Sequence, residues 1–365
     1  MRVLITTSPG IGHIFPLIPT GWALRAAGHD VLFAAPSNGE RVANAGLPVV
    51  DPAPGFDFPA LFQKFLSEHG MRGSRDFVSE LFAAVSEPSV DEVVRLAVDW
   101  RPDLIIHGPL DGAGGIAAAV VGVPAVVHGI GAAQHPSLSE GVTTQLAPVY
   151  QRFEVEPVPS AAFLDVSPTS LRAPGADGIP VRYVPFNGGG ALESWLTTPR
   201  AQPRITVTLG TVVPMMAGVG PLGQLVKAAA EVDAEFVFAL GGADPAALGE
   251  LPANVRIVGW VPLNALLAVS DAVVHHGGAG TTMTAFAAGV PQFVLPQGAD
   301  QFINAETVAK TGAGEVVAPG DLDAARLTDL LADPGKRAAA ARIVEELAGQ
   351  PSPADVVPRL VELTG

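Results

Sequence analysis

Read from its amino end, the chain alternates short, unbroken apolar runs with longer stretches in which apolar residues recur every three or four positions. Residues 2–7, 30–35, 104–107 and 125–129 are runs of the first kind. They are too short for helices and apolar throughout, which predicts parallel strands covered on both faces. Ile14, Leu17, Ile18 and Trp22 fall at helical spacing, as do the apolar positions of 90–99 and 112–121. After a glycine-rich stretch beginning at Asn187 the pattern starts again, with strands expected at 204–209, 235–239, 255–258, 271–275, 292–295 and 315–317. Strand, loop and helix in succession, twice over, predict an α/β fold of two doubly wound, Rossmann-like domains facing each other across a cleft. The expected divisions are a first domain at 1–190, a connector at 191–203, a second domain at 204–350 and a final amphipathic helix within 351–365.

Composition narrows the class. The chain has 365 residues, 48% of them hydrophobic, enough for two separate cores. Its 41 glycines and 34 prolines are spread between the periodic segments, where they punctuate many short elements. A net charge of -15 argues against nucleic acid and anionic membrane as partners, since both favour a basic face. With zero cysteines there are neither disulfides nor thiolate metal sites. No apolar run approaches about 18 residues and the amino end lacks a basic signal region, so a cytoplasmic protein is expected. The only Asp-x-Asp is Asp321-Leu-Asp323, which suits the start of a late helix, and no metal is expected. A homodimer is left open.

Chemistry concentrates in residues 260–301. A buried strand at 271–275 runs into His276-Gly-Gly-Ala-Gly-Thr-Thr282 and then a helix to about Ala288. Glycines let a backbone approach an anion closely, and the free amides and dipole at a helix start stabilise a phosphate. Trp260 follows a strand where an indole can stack on a planar base, and Asp300-Gln301 follows the next strand, at the ligand-binding edge of such sheets. An aromatic platform, a phosphate cradle and a polar pair make a nucleotide-sugar site.

This stretch resembles the donor-binding signature of family 1 glycosyltransferases with the GT-B fold, and His-His-Gly-Gly-Ala-Gly-Thr-Thr with a later Asp-Gln most resembles their actinobacterial natural-product branch. The resemblance implies that Trp260 stacks on the base with Val261 beside it. It further implies that His276, Gly278, Gly280, Thr281 and Thr211 hold the pyrophosphate, that Asp300 and Gln301 bind sugar hydroxyls, and that the last helix crosses back onto the first domain. In plant relatives that use uridine diphosphate sugars, a glutamate eight residues after the pyrophosphate histidine binds both ribose hydroxyls. Here that position is Thr284. A deoxyribose gives up less to a threonine than a ribose does, so a dTDP-sugar, most readily a deoxyhexose, is the expected co-substrate, with no other cofactor.

The amino-terminal loop supplies the other half of the chemistry. Gly10-x-Gly12 invites a dinucleotide reading, but Phe15 replaces the third glycine and Asp30 opens the second strand instead of closing it. His13 in that loop is the expected general base for an acceptor hydroxyl, and the segment Gly10–Pro19 resembles the one carrying the family's catalytic histidine. Where many relatives place an orienting carboxylate, this chain has Gly108. Asp111 or His107 could substitute, or the base could act unaided, and Asp111 equally suits a helix cap. Phe56, Phe58, Phe62, Phe65, Phe77 and Phe82 read either as packing under an insertion or as the wall of an acceptor pocket, with Phe56, Phe62 and His135 as acceptor contacts. The resulting expectation is an inverting, metal-independent hexosyltransferase moving a sugar to a small apolar natural product such as a polyketide or macrolide. The alternatives are a non-catalytic nucleotide-sugar-binding helper, which would have no use for His13, an epimerase of related fold, and C-glycosyl transfer.

Overall fold

A computed structural model describes residues 1–69, 75–132, 137–172, 177–211, 213–214, 218–298 and 300–365. By its own contacts the chain divides into two units: Met1–Ser167 with Arg172–Gly188 and Gly349–Gly365, and Pro168–Leu171 with Gly189–Ala348.

Unit 1 is built on seven strands among these residues: β1 (Arg2–Thr6), β2 (Asp30–Ala34), β3 (Val49–Val50), β4 (Leu104–His107), β5 (Ala125–His128), β6 (Ala162–Asp165) and β7 (Ile179–Pro180). They pair in the order β3-β2-β1-β4-β5-β6-β7, every pair parallel. β4 and β5 are buried at every position, which is why they carry no apolar–polar alternation. Because β1 lies between β2 and β4, chain connections leave its carboxyl end in opposite directions, and the loops after β1 and β4 open a crevice there.

Residues 51–87, where the sequence loses regularity, fold into the helix Phe58–His69 and the first half of a 26-residue helix, Arg75–Trp100. The latter runs straight through Pro88. The carboxyl-terminal helix Pro353–Glu362 packs on the helix Ile18–Ala26 of the same unit through buried Val356, Val357 and Leu360. A capping box between Ser352 and Asp355 starts it. Just before it, the Arg182 N–H donates to the Pro351 carbonyl at 2.7 Å and Gln350 Nε2 to the Ser167 carbonyl at 2.7 Å.

Unit 2 repeats the plan with β8 (Arg204–Thr208), β9 (Glu235–Ala239), β10 (Val255–Val258), β11 (Ala272–His275), β12 (Gln292–Val294) and β13 (Gly314–Val316). The order is β10-β9-β8-β11-β12-β13, again all parallel, so the crevice falls between β8 and β11. The stretch 191–203, expected as a connector, is instead bound into this unit. The Arg204 and Arg256 guanidinium groups each lie over the Trp195 ring, 4.9 Å from its centroid, and Glu235 pairs with both cations. Leu196 is buried with Val237, Val258 and Leu266. An aromatic ring and a leucine that can be covered by the sheet do not stay in a free linker.

Candidate active site

In unit 1, β1 ends in a loop in which Gly10 takes φ 100°, and His13 sits on the single helical turn that follows. The imidazole is half-buried, and desolvation lowers its pKa to about 4. Its ring meets the Phe82 ring at 5.2 Å between centroids, tilted by 58°. Phe82 belongs to an apolar cluster centred on buried Phe77, Leu81 and Val85, against which Phe56, Phe58, Phe62 and Phe65 pack while partly exposed. The phenylalanines are packing, and that packing ends on His13. His135 lies outside the described residues.

Asp111 lies near the end of the loop after β4 and is buried. One oxygen accepts the Thr6 hydroxyl and the other the Ala113 N–H at 3.2 Å. Burial raises its pKa, while the His107 charge and the Thr6 hydrogen bond pull the other way. These partners make Asp111 a brace at the start of the helix Ala113–Val121. Among the described residues no hydrogen bond joins it to the His13 ring. His107 is likewise engaged, its Nδ1 donating to the Gly108 carbonyl at 3.0 Å. The loops after β1 and β4 are linked instead by the Ser8 hydroxyl, which donates to the Leu110 carbonyl at 2.8 Å.

In unit 2 the residues singled out in the sequence all lie at the carboxyl ends of strands: Thr211 after β8, Trp260 and Val261 after β10, His276 to Thr281 after β11, and Asp300 and Gln301 after β12. The helix Ala279–Ala288 begins at Gly278 with no capping side chain, leaving its first amides for a ligand. His276 is buried, its pKa lowered to about 3 by burial and then by the neighbouring His275, with a Thr208 backbone hydrogen bond opposing. Its Nδ1 is buried with no partner among the described residues. The ring lies over Gly210, where an added Cβ would come within 2.6 Å of Cε1, and a Cβ on Gly278 would strike Nε2. Glycine is thus required at 210 and 278 by the ring itself. Val261 packs on the cluster around Leu196 and Val237.

Family models for the N-terminal and C-terminal domains of erythromycin biosynthesis protein CIII-like proteins match residues 63–210 and 223–363. Elloramycin glycosyltransferase ElmGT of Streptomyces olivaceus is 41% identical, the match covering 99% of this chain and 97% of that protein. The crystal structure of the glycosyltransferase SnogD from Streptomyces nogalater superposes with a TM-score of 0.89 at 42% identity, covering 100% of this chain and 99% of that one. The chain is a GT-B glycosyltransferase of the actinobacterial natural-product branch. A further structure similar to this glycosyltransferase, SsfS6 from Streptomyces sp. SF2575, contains thymidine diphosphate; it is 33% identical with a TM-score of 0.84, covering 99% of both chains.

The glycosyltransferase also contains site-building residues that the sequence did not single out. His275, which reads as the end of a buried strand, accepts the Gly277 N–H on Nδ1 at 3.1 Å and faces Gln292 Oε1 with Nε2 at 2.9 Å. An accepting Nδ1 fixes the proton on Nε2. Asn304 donates from Nδ2 to the Gly277 carbonyl and to Asp300 Oδ2, each at 2.9 Å. The spacing Asp300 to Asn304, four apart at a helix start, was the one available signal. Thr284 stands where plant relatives carry the ribose-binding glutamate. It is fully buried and its hydroxyl donates to the Gly280 carbonyl at 2.7 Å, so it offers no contact to a ribose. Among the described residues no cluster of metal-ligating side chains is present and no helix is long and apolar enough to cross a membrane.

Proposed function

We propose that this glycosyltransferase moves a hexose from a dTDP-sugar to a hydroxyl of a small apolar natural product, of polyketide or macrolide type, with inversion and without a metal ion. The observation that carries the donor half is the uncapped start of the helix Ala279–Ala288, whose first amides are donors that lack an acceptor, with the His276 ring packed against the same glycine turn. A pyrophosphate supplies one. Thymidine as the base is supported by the thymidine diphosphate in SsfS6 and by Thr284, whose buried hydroxyl is used within its own helix and offers a ribose no acceptor. Trp260 would stack on that base, and Asp300 with Gln301 would take the sugar hydroxyls.

His13 serves as the base. Held near pKa 4, it stays neutral at physiological pH and can accept a proton throughout that range. As the acceptor O–H gives its proton to the imidazole, its oxygen bonds to the anomeric carbon. The bond from that carbon to the pyrophosphate oxygen breaks on the far face, and the electron pair leaves with thymidine diphosphate. Helix amides and His276 stabilise the charge that develops there. Phe82 and the phenylalanines behind it give the acceptor an apolar wall next to the base.

The test is to incubate the enzyme with an α-linked dTDP-hexose and a hydroxylated aromatic polyketide in excess chelator, and to assign the product anomer by NMR. A β-glycoside formed at an unchanged rate is expected. An α-glycoside, or activity lost to chelator and restored by magnesium or manganese, would overturn the mechanism.

A further inference from the structure

Resting on the donor reading above, the geometry points to Asn304 as a positioning residue that couples the phosphate turn to the sugar-binding carboxylate. A primary amide carries two N–H bonds. Those of Asn304 go to the Gly277 carbonyl, inside the glycine turn, and to Asp300 Oδ2, at 2.9 Å each. The residue is 5% exposed, so water is poorly placed to replace its amide at the Gly277 carbonyl.

Gly277 is held from three sides. Its N–H is taken by His275 Nδ1, its carbonyl by Asn304, and its Cα lies so close to Val294 and to the Gln301 carbonyl that a Cβ would meet them at 2.8 and 2.9 Å. Its φ of 89° suits glycine alone. The turn that aims the helix amides is therefore seated on the segment that carries Asp300. The same segment is fixed from its other end, where the Gln297 N–H donates to Gln301 Oε1 at 2.9 Å.

One amide thus sets the direction of the Asp300 carboxylate against the phosphate turn. A donor that seats its pyrophosphate finds the carboxylate already aimed at its sugar. Without Asn304 the two would be recognised separately, and the carboxylate could rotate.

The experiment compares dissociation constants for thymidine diphosphate and dTDP-glucose by calorimetry on the wild type, Asn304→Ala, Asn304→Leu, Asp300→Asn and the pair Asn304→Ala with Asp300→Asn. The leucine fills the space of the asparagine without donors and guards against a folding defect in the alanine variant. Losing a directed hydrogen bond should cost about threefold to tenfold in affinity. Both Asn304 variants are expected to weaken thymidine diphosphate by that factor and dTDP-glucose by a further factor of similar size. Asp300→Asn should weaken dTDP-glucose alone. In the double variant the sugar-dependent factor should be no larger than in the larger single variant. Equal weakening of both ligands in the Asn304 variants would show a purely structural role and overturn the coupling, as would independent, multiplying losses in the double variant. A wild type that binds neither ligand overturns the donor reading itself.

Discussion

Replacing Gly210 by alanine tests whether the His276 ring is held as tightly as its surroundings imply. The residue has φ 66°, and an L-residue in the left-handed region costs about 1–2 kcal/mol. The new methyl would also lie 2.6 Å from Cε1 and 2.8 Å from Nε2 of His276. The ring is 8% exposed and so has little room to retreat, and forced overpacking of this kind costs about 1–3 kcal/mol. Together these give about 2–5 kcal/mol, a fall of roughly 5–15 °C in the transition of a unit this size. Scanning calorimetry measures it, and Gly210→Ala in a His276→Ala background separates the two terms. With the ring gone only the backbone cost of about 1–2 kcal/mol should remain. An unchanged transition in the single variant, or an equal loss in both backgrounds, would refute the argument that the ring dictates the glycine.

Other outcomes follow from the same geometry. His13→Ala should lower turnover by roughly 10²- to 10⁴-fold while thymidine diphosphate affinity, measured by calorimetry, stays within about twofold; equal turnover would remove His13 as the base. Trp260→Ala should weaken thymidine diphosphate by on the order of 1 kcal/mol or more if the indole stacks on the base, and an unaltered affinity in a folded variant would place the base elsewhere. His128 and His275 are both interior, and burial lowers each pKa to about 4. Their folded values lie below the unfolded one near 6.5, so the unfolded chain binds more protons between those limits. Stability should be complete above about pH 6.5 and decline as pH falls toward 4, by about 3 kcal/mol per histidine, with Asp111, raised by burial, working in the opposite direction. Urea midpoints at pH 7.5 and pH 5 check this, and equal midpoints would contradict the buried neutral tautomers.

What the sequence revealed and what it hid divide along physical lines. The strands that carry the site are unbroken apolar runs, and the glycine turn after β11 has a composition that few other structures need, so both could be placed by eye. β3 and β7 are two residues long and β7 contains Pro180, which leaves no pattern to read. The helix Arg75–Trp100 was obscured by Ser86-Glu87-Pro88-Ser89, a signal for a break that tertiary packing overrides. That the Thr284 hydroxyl takes a partner one turn back along its own helix is a choice that spacing does not disclose. The partnership of His275, Gly277 and Asn304 joins a strand end to a helix 29 residues further along, and only the folded sheet makes them neighbours.

The closing segment Gly349–Gly365 belongs by its contacts to the unit that begins the chain. For anyone recombining these enzymes, that makes the halves non-contiguous genetic parts. A hybrid joined once near Gly188 would import a foreign terminal helix together with the foreign donor unit, and Val356, Val357 and Leu360 would be replaced where they seal the helix Ile18–Ala26. Burial of three such side chains contributes about 5–9 kcal/mol, comparable to the whole stability of a typical domain. A graft spliced twice, near Gly188 and again near Ala348, would keep each helix with the partner it was selected to cover.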